Sequence, residues 1–183
     1  MSGQLEMSSA TQPGGKSAAV SPRLLALAFQ LNGQPRTVSI PAEMTLLLLL
    51  REHMGLPGTK IGCGHGQCGA CTVLIDGERH VSCLKLAATL EGAAVTTIEG
   101  LAGPDGDLHP MQEAFLRREA YQCGYCTPGQ IMSAVGLLAE GIARTHEEVA
   151  EAMSGNLCRC GAYPHIVEAV MEVIAARHAE ARP

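Results

Sequence analysis

The sequence contains no tryptophan, two phenylalanines and three tyrosines, so aromatic residues make up 3% of its 183 positions. A core built from this chain is therefore aliphatic, and stacking platforms for nucleic-acid bases are not expected. Basic residues are also few. Thirteen Lys and Arg against eighteen Asp and Glu leave a net charge of −5, with no basic run. That balance argues against a nucleic-acid partner. Long apolar runs are missing as well. The all-leucine run Leu46–Leu50 is followed at once by Arg51, Glu52 and His53, far short of the ~20 residues of a membrane helix. Residues 1–22 carry Lys16 as their only basic residue, without an apolar h-region or an Arg-Arg pair. This composition leads us to expect a disordered tail and a cytoplasmic protein; a periplasmic site would require a leader.

What is present is apolar material and cysteine. Hydrophobic residues make up 46% and charged residues 17%, enough for a core in one or two domains. The eight cysteines are too sparse for a small secreted disulfide scaffold. In a reducing compartment, clustered cysteines more often hold metal or react than form disulfides.

The expected elements divide the chain in two. Leu24–Leu31 reads as a strand, Asn32-Gly33 as a hairpin turn and Arg36–Ile40 as the returning strand, ended by Pro41. Thr45 can cap a short helix over Leu46–Met54, stopped by Gly55. The glycine-rich segment Gly58–Cys71 suits neither helix nor regular strand, and reads as a loop whose backbone approaches something closely. A second hairpin runs from Thr72–Ile75 through Asp76-Gly77 to Arg79–Cys83, and Val95–Ile98 reads as a further strand. Residues 99–109 read as a linker. Helices follow. Met111–Ala120 is the first. Thr127-Pro128 should open the second, with Ile131, Val135 and Leu138 buried. Thr145–Glu148 spells a capping box for the third. Pro164 introduces the last, with its Ile166, Val170, Ile174 stripe. The fold class is α+β, with a strand-rich domain over 23–98 and a four-helix domain over 110–178.

The cysteines fall four to each half. Cys63-x4-Cys68-x2-Cys71 with the distant Cys83 is the plant-type ferredoxin spacing for a 2Fe–2S cluster. Three thiolates from one loop must converge on two irons, and the bridging sulfides need N–H donors. Gly62, Gly64, Gly66 and Gly69 give the backbone that freedom. A zinc site is the competitor here, although zinc prefers pairs two to four residues apart. His65 in Cys63-Gly64-His65 resembles half of a Rieske motif, but the second pair, Cys68-Gly69-Ala70-Cys71, offers no histidine. It is read as a loop residue. The second quartet is Cys123-x2-Cys126 and Cys158-x1-Cys160. Both pairs fall just before expected helices, where the positive dipole end favours thiolates and an anionic cluster. Tetrathiolate zinc, disulfides or a redox Cys-x-x-Cys remain open for this half.

With both quartets placed, the chain resembles the small iron–sulfur subunit of the xanthine oxidase family of molybdenum hydroxylases. The residues that carry this are Gly62–Val73, Gln122–Gly129 and Gly155–Cys160, with Ile98–Leu101 between them. His65-Gly66-Gln67 and His109–Gln112 are similar to the small subunit of bacterial three-subunit aldehyde oxidoreductases. The resemblance implies a plant-ferredoxin-like β-grasp domain followed by a four-helix-bundle 2Fe–2S domain. It implies two clusters, on Cys63/Cys68/Cys71/Cys83 and on Cys123/Cys126/Cys158/Cys160. It also implies a large molybdopterin-binding partner that performs the chemistry and a medium FAD-binding partner. Electrons would run from pterin to the second quartet, then to the first, then to FAD. Gln122 and Cys160 match family positions that contact the pterin. Two departures are visible. Gly161-Ala162-Tyr163 stands where Thr-Gly-Tyr is frequent, and Tyr125 where many relatives have Phe.

No acid, base or nucleophile constellation appears, so the bond-breaking residues are expected on the partner. Aldehydes, purines, N-heterocycles and carbon monoxide are all handled by members of the family. A free-standing two-cluster ferredoxin and a zinc-dependent structural module are the readings from other classes. Colour separates the last of these. Purified protein is expected to be brown-red, with visible bands that bleach on reduction; a colourless protein containing zinc would refute the iron–sulfur reading.

Overall fold

A computed structural model describes residues 23–180. The expected tail at 1–22, and with it any reading of a leader, lies outside the described residues. The first half is a five-stranded mixed sheet in the order β2-β1-β5-β3-β4. β1 (Leu24–Leu31) and β2 (Gln34–Pro41) form the expected hairpin. β3 (Thr72–Ile75) and β4 (Glu78–Val81) form the second. Asn32-Gly33 and Asp76-Gly77 turn them, all four residues at positive φ, as two-residue hairpin loops require. β5 (Ala94–Thr96) enters between the hairpins, parallel to β1 and antiparallel to β3. It ends before the expected Ile98 because the Thr97 N–H donates to the Asn32 side chain at 2.8 Å, not to a strand.

The first helix departs from its expected form. α1 covers only Leu46–Leu48 and passes into a π-helical turn over Leu49–His53, closed by Met54 N–H to the Leu49 carbonyl at 2.9 Å. Four of the five leucines are buried: Leu46, Leu49 and Leu50 pack under the sheet with Leu27, Ile40, Val73 and Val95, and Leu47 packs against Cys71 and Cys83. The Thr45 cap is present: its hydroxyl accepts from Leu48 N–H.

Four helices follow: α2 (Pro110–Arg117), α3 (Thr127–Glu140), α4 (His146–Ala152) and α5 (Tyr163–Glu180). α2 stops short of Ala120 because Glu119 turns to φ 49. α3 is entered one residue earlier than expected. Cys126, already helical, sits at the cap position and Pro128 in the second helical position, so the Thr127 hydroxyl is buried without a partner. The capping box at Thr145 and Glu148 forms as expected. Ile166, Val170 and Ile174 are buried with Met111, Phe115 and Leu137 in the helical core. No helix among the described residues is long and apolar enough to cross a membrane.

The two halves meet across α3, β3 and β4. Asn156, only 6% exposed, is the centre of that contact. Its Nδ2 lies 3.0 Å from the Gly69 carbonyl, 3.1 Å from the Gly129 carbonyl and 3.3 Å from the Thr72 hydroxyl. Its own carbonyl accepts from buried Gln130 at 2.8 Å. Gly69 and Gly129 let the backbones touch: a Cβ on Gly129 would stand 2.4 Å from the Gly69 carbonyl oxygen. Arg79 on β4 adds a fork to Glu140, two bonds of 2.7 Å, and a 3.0 Å bond to the Ala152 carbonyl. Asn156→Ala should therefore cost about 1–3 kcal/mol, since it removes a buried amide that bonds both halves at once. Asn156→Asp should cost more, because a carboxylate would face the Gly69 and Gly129 carbonyls. Thermal unfolding should fall by roughly 2–4 °C per kcal/mol in a chain of this size; unchanged midpoints would contradict the role.

Candidate iron–sulfur centres

Each quartet is assembled by backbone that the sequence bends for the purpose. In the first loop, the N–H groups of His65 and Gln67 point at Cys63 Sγ, at 3.5 and 3.3 Å, and the Cys63 N–H points at Cys68 Sγ at 3.3 Å. Gly62 leaves the room this needs; a Cβ there would lie 2.6 Å from Cys68 Sγ. Cys83 follows β4 and is returned to Cys71 by Ser82, whose N–H and hydroxyl both donate to the Cys71 carbonyl, at 3.2 and 2.8 Å. Cys71, Cys83 and Leu47 then bury one another. The His65 ring turns to the Cys63 carbonyl at 2.7 Å, a loop contact, as expected for it.

In the second half, Cys126 opens α3 and its carbonyl accepts from Gln130 N–H at 3.0 Å. The Cys158 N–H donates to the Tyr163 hydroxyl at 2.9 Å, at the start of α5. Cys158 is buried, Cys126 and Cys160 are partly covered and Cys123 is exposed. Gln122 beside it is also exposed.

Within each quartet the thiols act on one another: Cys68 lowers the pKa of Cys63 and Cys71 raises that of Cys83, while Cys160 lowers that of Cys123 and Cys158 raises that of Cys126.

The loops also divide the thiols electrostatically. The His65 N–H, helped by those of Gln67 and Cys68 against a burial penalty, holds the Cys63 thiol down at about 6. The Tyr125 N–H and the Cys160 thiol lower Cys123. Burial raises Cys158, but the N–H groups of Ala162, Cys160 and Gly161 and the Cys126 thiol outweigh it, and the net shift is downward. Burial, then a neighbouring thiol, pushes Cys83 up to about 11 and Cys126 up to about 12. Inward-pointing N–H groups that stabilise a thiolate also suit an anionic cluster.

Asn156 and Gly129 lie within the Gly155–Cys160 and Gln122–Gly129 segments, yet nothing in their spacing reveals that they meet. The Tyr125 hydroxyl donates to the Ile61 carbonyl in the other half.

Two family models match consecutive stretches of the chain. One is described as a 2Fe-2S iron-sulfur cluster binding domain, over residues 29–97, and the other as a 2Fe-2S binding domain, over residues 97–171. The chain is 48% identical over 168 residues to the aldehyde oxidoreductase iron-sulfur-binding subunit PaoA of Escherichia coli K12, covering 84% of this chain and 73% of that one. It is 52% identical over 143 residues to the nicotine 6-hydroxylase small subunit of Paenarthrobacter nicotinovorans, covering 78% and 86%. Among solved structures, a chain of quinoline 2-oxidoreductase from Pseudomonas putida 86 superposes with a TM-score of 0.80 at 44% identity, covering 86% of this chain and 96% of that one.

In the cluster-free chain at neutral pH, Cys63 should alkylate well before Cys83 or Cys126, because the thiolate is the nucleophile. Its labelling should slow as pH falls below about 6, and its advantage should narrow only as pH rises toward the range where the other two ionise. Cys83 and Cys126 should stay thiols until pH approaches about 11 and about 12. Mass-spectrometric mapping would show this order; equal labelling of all three would contradict it.

Proposed function

The chain belongs to the small iron–sulfur subunits of the xanthine oxidase family of molybdenum hydroxylases, and on that footing we propose how its residues serve the relay. Cys63, Cys68, Cys71 and Cys83 hold one 2Fe–2S cluster. Cys123, Cys126, Cys158 and Cys160 hold the other. Residues 23–98 form the first cluster's domain, 110–178 the second's, and 99–109 connect them. The observation that supports this assignment is that each quartet lies inside a stretch matched by a 2Fe-2S binding domain, 29–97 and 97–171, with backbone N–H groups turned toward sulfur in the first loop. Bound there, each cluster would supply a one-electron site, so that reducing equivalents from molybdopterin on a large subunit are passed singly toward FAD on a medium subunit.

The chain's own residues decide the orientation. The second quartet opens outward at exposed Cys123 and Gln122. Tyr121, Tyr125, Leu157 and Tyr163 surround that opening, each more than a third exposed. Exposed apolar groups gathered around a site suit a protein partner. We assign this face to the molybdopterin subunit, with Gln122 and Cys160 as the pterin contacts. A Gln amide offers both donors and an acceptor to a pterin edge. The substrate class is aldehydes, supported by the 168-residue match to the aldehyde oxidoreductase subunit. The 52% identity to the nicotine 6-hydroxylase subunit favours an N-heterocycle as the second reading.

The assembled complex should contain about four irons and four acid-labile sulfides per copy of this chain, from two two-iron clusters. Cys83→Ser should remove one cluster and leave the other spectroscopically intact. Two irons in the wild type, or stoichiometric zinc, would refute the assignment. Gln122→Ala should leave both clusters in place and lower molybdenum cofactor occupancy or the rate of cluster reduction by substrate. The loss should be partial, since each hydrogen bond contributes about 0.5–1.5 kcal/mol. Wild-type occupancy together with wild-type stopped-flow rates would remove Gln122 from the pterin site.

A further inference from the structure

Apart from the Asn156 contact, two hydrogen bonds join the cysteine loops directly. The Tyr125 hydroxyl, between Cys123 and Cys126, donates to the carbonyl of Ile61, two residues before Cys63. The Leu157 N–H, next to Cys158, donates to the Cys68 carbonyl at 2.9 Å. Tyr125, Leu157, Cys68 and Cys158 all line one cavity of about 600 Å³ between the loops. Each bond thus ties a residue beside a second-quartet cysteine to backbone in the first-quartet loop. Tyr125 is 51% exposed, so its ring contributes little burial to the core. Its distinctive contribution is the hydroxyl.

We propose that Tyr125 is a positioning residue for electron transfer between the two quartets: its hydroxyl latches the Cys123–Cys126 loop onto the segment leading to Cys63 and keeps the Leu157–Cys68 hydrogen bond closed. This rests on the reading that both quartets hold 2Fe–2S clusters. The step served is a single-electron transfer. The second-quartet site is oxidised by one electron, the first-quartet site is reduced by that electron, and no proton moves and no bond changes. Tunnelling falls steeply with separation. With the latch closed, the chain crosses from Leu157 to Cys68 in one 2.9 Å hydrogen bond, with Cys158 covalently next to Leu157. With the latch open, that connection becomes a gap. Tyr125 acts through the loop positions and needs no contact with a thiol to do so.

Tyr125→Phe in the assembled complex removes the hydroxyl and keeps the ring. Iron and sulfide content should stay at the wild-type level. Hydrogen exchange at Leu157, followed by mass spectrometry, should accelerate about 2- to 10-fold, the change in opening equilibrium that one ordinary hydrogen bond supports. The magnetic interaction between the two reduced clusters, seen by electron paramagnetic resonance, should weaken, and equilibration between the clusters should slow. Unchanged Leu157 exchange with an unchanged magnetic interaction would overturn the proposal. Loss of second-quartet iron in the variant would overturn it too, since the hydroxyl would then serve cluster retention. A wild-type complex lacking iron–sulfur signals would instead defeat the cluster reading itself, whatever the exchange result.

Discussion

The amide nitrogen of Asn156 reaches the Gly69 carbonyl in the first cysteine loop and the Gly129 carbonyl in α3. The packing of the two halves turns on this contact, and the Tyr125–Ile61 and Leu157–Cys68 bonds lie beside it. The β-rich half and the helical half each have their own aliphatic core, so neither core sets their mutual position. A junction does that, in which two glycines bring backbone to backbone, one buried amide adds a donor to both carbonyls, and Leu74 packs onto α3 at Gly136. A buried amide between facing carbonyls is costly if unpaired and directional if paired. The Arg79–Glu140 fork, with side chains 22% and 34% exposed, reinforces the junction from its rim. A charged pair so near solvent contributes less than the buried amide does.

The two quartets are built alike in chemistry and differently in exposure. In both, backbone N–H groups turn toward sulfur and the thiols act on one another. In the first, Cys71 and Cys83 are buried against Leu47. In the second, Cys123 is exposed and the rim is apolar. A relay benefits from that difference. One site must open to the partner that delivers electrons, while both must sit close to a fixed junction inside the chain.

Much of this was legible in the sequence, because it rests on local chemistry. Asn-Gly and Asp-Gly specify two-residue hairpins, Thr145 and Glu148 specify a capping box, and the spacing of Cys63, Cys68 and Cys71 specifies a loop with three converging thiols. The less legible features were long-range or small adjustments. The π-helical turn after Leu48 answers the need to bury Leu46, Leu49 and Leu50 under the sheet and Leu47 against Cys71 and Cys83, which no helix period announces. β5 ends early because Asn32, more than sixty residues away in sequence, takes the Thr97 N–H. Thr127 loses its capping role because the chain arrives at α3 already helical at Cys126. Asn156 lies within the Gly155–Cys160 segment, but its partners at Gly69, Thr72 and Gly129 come from distant segments, and only the folded chain brings them together.

The central claim is that one chain holds two 2Fe–2S clusters as successive stations for electrons released by a partner. Quantitative electron paramagnetic resonance of the assembled complex, reduced anaerobically by an aldehyde substrate in excess, tests it most directly. The account predicts two distinguishable 2Fe–2S signals that together integrate to two spins per chain, one for each matched cluster-binding domain. A single signal, or signals that appear with chemical reductant but never with any aldehyde or N-heterocycle in the presence of active molybdenum subunit, would contradict it.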